Sequence, residues 1–320
     1  HKIGSVNSSG IVNIKNNADT FSLSVSKMRN VWYHTSFLLD QKQTANGLAK
    51  ARIENFENQP LQYNFPAHFT GKLEDVIASG TKQSVNNNEI TSSQTPRNDG
   101  KRPKAAILRE KGSNSEREMA NAMYLAGFDV KDVHMTDLIS GRETLEDIQF
   151  LGAVGGFSNS DVLGSAKGWA GAIKYNEKAN TVINNFFKRK DTLSVGICNG
   201  CQLFMELELI NPEHAVHGKM LHNNSQKHES AFTSVTVQEN NSVMLSSLAG
   251  STLGVWISHG EGKFNLPEGE DKYSIVAKYG YDAYPSNPNG SDFNTAMLCD
   301  VTGRHLVMMP HIERSTFQWN

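Results

Sequence analysis

The segment Gly196-Ile197-Cys198-Asn199-Gly200-Cys201-Gln202 sets a cysteine between glycines two residues before and two after it, where a strand-like run gives way to a helix-like one. This is the G-x-nucleophile-x-G arrangement, in which a sharp strand-to-helix turn lifts one side chain above a sheet. Glycine is needed on both sides because a Cβ there would strike neighbouring backbone. The turn puts Cys198 at a helix N-terminus, where free N–H groups and the helix dipole favour thiolate. The Asn199 N–H then points where an oxyanion would form, as acyl transfer requires. Cys198 and Cys201 also make a C-x-x-C pair, open to redox, half-zinc or simple packing readings. Zinc would need further ligands, and Cys299 stands alone. Cys198 holds the apex, whereas Cys201, one turn along, reads as packing.

A thiol nucleophile needs a base within hydrogen-bond reach, and the base needs an orienting carboxylate. The run Met309-Pro310-His311-Ile312-Glu313-Arg314-Ser315 supplies both, with His311 as base and Glu313 as orienter, if its loop folds over the elbow. Two glycine-rich loops follow apolar runs. Val154-Gly155-Gly156-Phe157-Ser158 leaves backbone N–H groups open to a ligand, or is an ordinary tight turn. Ser258-His259-Gly260-Glu261-Gly262 is the other, and its His259 is a second choice as base. His214, His217, His222 and His228 lie in a polar connection without a cysteine or regular carboxylate pattern, so no metal site is assigned.

These residues need a sheet to carry them. From Lys104 onward short apolar runs alternate with helical patterns: Ala105–Leu108, a helix opening at Asn114-Ser115-Glu116, Phe128–Val133, Leu151–Val154, a helix from Asn176 to Lys188, and Leu193–Ile197. The alternation predicts an α/β domain with a doubly wound, mostly parallel sheet flanked by helices and ligands at the carboxyl ends of its strands. After about Ser230 the runs are strand-like: Ser234–Val237, Val255–Ser258, Ser274–Ala277, Ala296–Leu298 and Leu306–Met309. Upstream, Lys2–Val6 and Gly10–Ile14 look β-like, and a helix runs from Ser24 through Trp32 to Leu39. That region holds too few apolar residues for a core of its own. Between them, 81–103 is rich in Asn, Ser, Thr, Gln and Lys, and reads as a flexible linker.

A length of 320 residues predicts about two domains. Lys and Arg number 31 against 33 Asp and Glu, so neither a nucleic-acid footprint nor a coating for an anionic membrane is expected. No apolar run is long enough to span a bilayer. Three cysteines are too few for a disulfide framework and point to a reducing, cytoplasmic compartment. The chain begins at His1 without a basic-then-apolar leader and reads as an excerpt of a longer polypeptide.

Together, GICNGCQ, VGGFSNSDVLGSAKGWA, SHGEGKF, NPNGS and MMPHIERS, in this order, resemble the glutaminase domain of the phosphoribosylformylglycinamidine synthase family, the large single-chain form. The likeness covers about Arg102 to Asn320 and implies a class I, triad-type glutamine amidotransferase fold. The first 80 residues resemble the tail of that family's α+β synthetase portion. Carried over residue by residue, Cys198 is the nucleophile that forms a glutamyl thioester, His311 the general base and acid, and Glu313 the orienter. Gly156 and Asn199 match backbone oxyanion donors. Phe157, Ser158, Gln202, Ser258, His259, Gly260 and Glu261 match positions that hold the substrate glutamine.

The resemblance further implies that ammonia passes to upstream synthetase domains, which use ATP and Mg2+ bound outside this segment; within it no cofactor is expected. The domain divisions implied are 1–80, 81–103 and 104–320. The chain departs from the family at Lys227-His228-Glu229-Ser230-Ala231, where an Arg-Phe-Glu-x-Arg run is usual. It stops at Trp319-Asn320, short of the usual closing segment, so a truncated domain is expected. A cysteine peptidase on the same fold and a catalytically silent interaction module are the competing readings.

Overall fold

The computed structural model describes residues 3–58, 63–67 and 102–315. Nearly all of the expected linker, 81–103, and the last five residues lie outside them.

The buried run of β3 (Lys104–Arg109), apolar on both faces, sits in the interior of a nine-stranded sheet. Its neighbours are β4 (Asp129–His134) and β5 (Phe150–Ala153), followed by β6 (Leu193–Ile197) and β13 (His305–Met308), all paired in parallel. Beyond β13 the pairing turns antiparallel through β12 (Thr295–Cys299), β11 (Ser274–Tyr279), β8 (Glu229–Val237) and β9 (Thr252–His259). The spatial order is β4-β3-β5-β6-β13-β12-β11-β8-β9. The α/β expectation holds, with half of the ladder antiparallel. The late strand-like runs without intervening helices have no crossover to return them in parallel.

Helices α3 (Glu116–Leu125), α4 (Met135–Ser140), α5 (Lys167–Lys174), α6 (Glu177–Lys188) and α7 (Asn199–Glu206) flank the parallel half. In α6 the Asn176 side chain accepts from the Ala179 N–H, and Ala179, Ile183 and Phe186 bury one stripe at helical spacing. A short pair, β7 (Lys219–Leu221) with β10 (Lys263–Asn265), lies apart from the main sheet.

The N-terminal region forms a hairpin, β1 (Ile11–Asn16) with β2 (Asp19–Ser24), then α1 (Val25–Gln43) and α2 (Leu48–Glu54). Ile3–Val6 form no strand, contrary to the β-like reading. They are exposed and pair with no strand among the described residues. The region lacks its own core: Trp32 is 80% exposed and the hairpin's apolar residues face solvent. It is fastened to the sheet domain by charge instead. Arg52 lies 3.2 Å from Asp40 and 2.8 Å from Glu229, Lys227 pairs with Asp40, and the Ala45 N–H donates to the Ser225 carbonyl at 2.9 Å.

Candidate active site

The turn from β6 into α7 forces Cys198 to φ 53°, ψ −106°, a conformation disfavoured for a residue with a side chain. Its flanking glycines are a steric requirement. A Cβ on Gly200 would lie 2.1 Å from the Ala153 carbonyl oxygen, and one on Gly196 would lie 2.6 Å from the Gly200 oxygen. The Cys198 N–H donates to the Met308 carbonyl at 2.9 Å, tying the elbow to the adjacent end of β13. Asn199 is the first residue of α7, so its N–H has no intrahelical acceptor.

The chain leaves β13 at that same edge and brings His311 to the sulfur. The His311 N–H donates to the Trp256 carbonyl of β9 at 2.8 Å, and the ring stands over Gly155 beside the Cys198 Cβ. His311 Nδ1 lies 2.6 Å from Glu313 Oε1, with both side chains buried. That contact leaves Nε2 for the thiol. Burial alone would raise the Cys198 thiol; hydrogen bonds from His259 and His311 and their charges overcome it, bringing the thiol down to about 6. Burial would lower His311, but its bonds to Cys198 and Glu313 lift it to about 9. Between these values a thiolate–imidazolium pair is the favoured state. Cys201 is fully buried, and burial pushes its thiol well above the ordinary range.

Above the sulfur lies a cavity of about 240 Å³. Cys198 and Gln202 form part of its wall, with Gly156 and Phe157 from the loop after β5 and Ser258, His259, Gly260 and Glu261 from the end of β9. Ser158 and Asn199 stand behind this wall: the Ser158 N–H donates to Asn199 Oδ1 at 3.1 Å, and Asn199 Nδ2 donates to Gln202 Oε1 at 2.9 Å. Gln202 Nε2 donates to the Glu261 carbonyl at 2.7 Å, so both ends of this amide are already engaged by protein. His311 and Glu313 lie outside the cavity wall, on the protein side of the sulfur.

Sequence reasoning missed several neighbours. Asp161, from the FSNSD turn, and Ser165, four residues on, line the cavity; Asn159, Ser160 and Asp161 are all left-handed. Burial, and secondly Glu261, push the Asp161 carboxyl above its usual range. Asn223, wholly buried, donates to the carbonyls of His259 (2.8 Å) and Lys227 (3.0 Å) and accepts from the Gly262 N–H (3.0 Å). A single Asn in a polar stretch carries no signal of such a role. Of the four histidines in the 214–228 connection, His222 and His228 line the cavity. His214 packs against Tyr273 and His217 contacts the Asn211 carbonyl. Among the described residues no group of three or more His, Cys, Asp or Glu side chains is placed to hold a metal ion.

Residues 102–320 match the family model for the CobB/CobQ-like glutamine amidotransferase domain. The chain belongs to that family. Relatives of the amidotransferase include a probable phosphoribosylformylglycinamidine synthase, chloroplastic/mitochondrial, of Arabidopsis thaliana, 38% identical over 337 residues, covering 99% of this chain and 22% of that protein. Phosphoribosylformylglycinamidine synthase of Homo sapiens is 37% identical over 322 residues, covering 92% of this chain and 23% of that one. Among solved structures, PurLQS from Thermotoga maritima superposes with a TM-score of 0.56 at 25% identity, over 68% of this chain and 91% of that chain. The resemblance read from the motifs is thus shown. The amidotransferase chain spans less than a quarter of the length of these two curated relatives.

Proposed function

We propose that this chain is the glutaminase part of a phosphoribosylformylglycinamidine synthase. Residues 104–320 hydrolyse glutamine, and 1–80 close the synthetase portion, joined through the 81–103 linker. The reading rests on one observation above all: Cys198 sits on a left-handed elbow between the His311–Glu313 pair and a cavity sized for a single amino acid. The same cavity disfavours a peptidase, which needs an open cleft for a chain.

The Cys198 sulfur attacks the side-chain amide carbon of glutamine, and the oxygen becomes an oxyanion facing the N–H groups of Gly156 and Asn199. His311 Nε2–H, held as imidazolium by Glu313, gives its proton to the amide nitrogen. The C–N bond breaks, ammonia leaves, and a glutamyl thioester remains. Water then attacks the thioester carbon as His311 takes its proton; the C–S bond breaks, releasing glutamate and restoring the thiolate. Asp161 and Glu261, two carboxylates in one wall, suit the α-ammonium of the substrate. Phe157, Ser258 and Gly260 line the space for its remainder.

In the whole enzyme, ammonia passes to the synthetase portion for ATP-dependent conversion of formylglycinamide ribonucleotide to the amidine. ATP and Mg2+ serve the synthetase portion, and no step described here runs through them. No helix among the described residues is long and apolar enough to cross a membrane; with three free thiols, a cytoplasmic setting is proposed. In the full-length enzyme, Cys198→Ala removes glutamine-dependent synthesis and leaves synthesis from added ammonium salt. Loss of neither, or of the ammonium-driven activity as well in a folded variant, refutes the division of labour.

A further inference from the structure

Helix α1 buries one residue, and that residue is charged: Asp40, while Trp32, Leu38 and Leu39 of the same helix face solvent. A carboxylate taken out of water needs fixed partners, and Asp40 finds one in the wall of the glutamine cavity. We propose that Asp40 is a positioning residue for substrate binding: by holding Lys227 it sets the 226–228 wall of the cavity, so the N-terminal region completes the glutaminase site. The inference deepens the glutaminase reading and rests on it for its kinetic consequence.

The Lys227 ammonium donates to Asp40 Oδ1, which also accepts from the Thr44 hydroxyl at 2.6 Å, and Arg52 Nε lies 3.2 Å from Oδ2. Burial would raise the Asp40 carboxyl, but its bonds to Lys227 and Thr44 and the Arg52 charge hold it below its usual range. Three more ties run from the α1–α2 corner to the same stretch of chain. The Ala45 N–H donates to the Ser225 carbonyl at 2.9 Å, the Asn46 amide donates to the Asn224 carbonyl at 2.8 Å, and Arg52 reaches Glu229 at 2.8 Å. These contacts converge on 224–229.

That stretch forms one side of the cavity, through Gln226, Lys227 and His228. Its other attachments belong to the site. The Asn223 amide joins the Lys227 carbonyl (3.0 Å) to the His259 carbonyl (2.8 Å), and His228 Nε2 bonds the Ser258 hydroxyl at 3.0 Å. No strand ladder supports the chain from His222 until β8 begins at Glu229. The wall therefore hangs between α1 on one side and the SHGEG loop on the other. Cys198 and His311 are set elsewhere, by β6, β13 and the turn at 311–313, so loss of Asp40 weakens binding rather than chemistry.

The test is ammonia release from glutamine by the full-length protein across substrate concentration, beside amide hydrogen exchange at 224–229. In Asp40→Asn, which loses a charge-assisted bond, KM rises about ten-fold with kcat within about twofold of wild type, and exchange at 224–229 quickens. Asp40→Glu, which keeps the charge, returns KM to within about threefold. Lys227→Met raises KM as well, and the Asp40→Asn/Lys227→Met double variant is no worse than the poorer single one, because both cut the same contact. An unmoved KM, a loss confined to kcat, additive effects in the double variant, or no rescue by Asp40→Glu overturns the proposal. If Asp40→Asn does not fold, Thr44→Val decides. It is isosteric, lies outside the cavity wall and removes one bond to Asp40, so KM rises about threefold with kcat unmoved; an unmoved KM there refutes the proposal. Failure of the glutaminase reading appears separately, as glutamine-dependent activity surviving Cys198→Ala, and hydrogen exchange then still reads the Asp40–Lys227 contact.

Discussion

Replacing Glu313 by Gln keeps the shape of the site and removes the buried carboxylate that faces His311. The lift of His311 from 6.5 to about 9 amounts to about 3 kcal/mol at about 1.4 kcal/mol per pH unit. It comes chiefly from two bonds, to Cys198 and to Glu313 at 2.6 Å. Losing the carboxylate removes part of that lift, at a factor of about ten in the imidazolium population for each pH unit lost. A second loss comes from the tautomer. The Gln amide can donate to Nδ1, which fixes the neutral ring's proton on Nε2 and stops that nitrogen from taking the proton of the hydrolytic water, a tautomer error that costs about 10⁴-fold in the serine triad. We expect kcat for glutamine hydrolysis to fall about 10³-fold, between these bounds.

The pH profile carries the sign. In the wild type, activity rises as Cys198 ionises near 6 and falls as His311 loses its proton near 9. In Glu313→Gln the upper limb moves down, because the imidazolium has lost its countercharge. The lower limb moves up, because the thiolate has lost part of its cation. Ammonia release from glutamine, measured from pH 5 to 10 with alkylation in parallel, reads both limbs. Activity within about threefold of wild type with both limbs unmoved would refute the assignment of Glu313 as orienter.

Cys201→Ser retains most glutaminase activity, since that thiol is buried and held neutral; equal loss at Cys198 and Cys201 would revive the dithiol reading. Gly200→Ala drives a Cβ into the Ala153 carbonyl and costs about 3 kcal/mol in denaturant unfolding, with activity lost as the elbow shifts; an unchanged midpoint would contradict the close approach. Arg52→Met leaves Glu229 and Asp40 without their shared cation. Because Arg52 is partly exposed, the expected loss is about 2 kcal/mol, below the about 3–5 kcal/mol of a fully buried pair, and α1–α2 become protease-sensitive first.

Much of the site is legible in the sequence because its residues cluster in short motifs at strand ends. The elbow announces itself through two glycines around Cys198, and the runs leading to Ala153, Ile197 and Met308 carry no Asp, Glu, Lys or Arg and are buried on both faces, as strands covered on both sides must be. His311 and Glu313 share a turn, so their 2.6 Å contact is nearly local. Other partners come from distant segments and carry no local pattern. Asn223 and Asn289 are single amides in polar loops, and each matters because a backbone carbonyl or an imidazole from β9 happens to lie opposite. Asp161 lies within the FSNSD run, but no local pattern singles it out, because its place beside Glu261 depends on the left-handed turn at 159–161.

Chain order alone determined which atoms could react: a thiol at a strand-to-helix turn, an imidazole two residues from a carboxylate, and strand–helix alternation to carry them. Folding decided which of these atoms meet. The parallel step from β6 to β13 makes their carboxyl ends neighbours and so joins Cys198 to a histidine more than a hundred residues away. The antiparallel half of the sheet then brings β9 alongside His311, and with it a second imidazole. Spacing along a chain describes only nearby partners; the pairing of strand ends, and the buried partners that hold the thiol and the imidazole in their charged forms against the cost of burial, exist only once the sheet has closed over them.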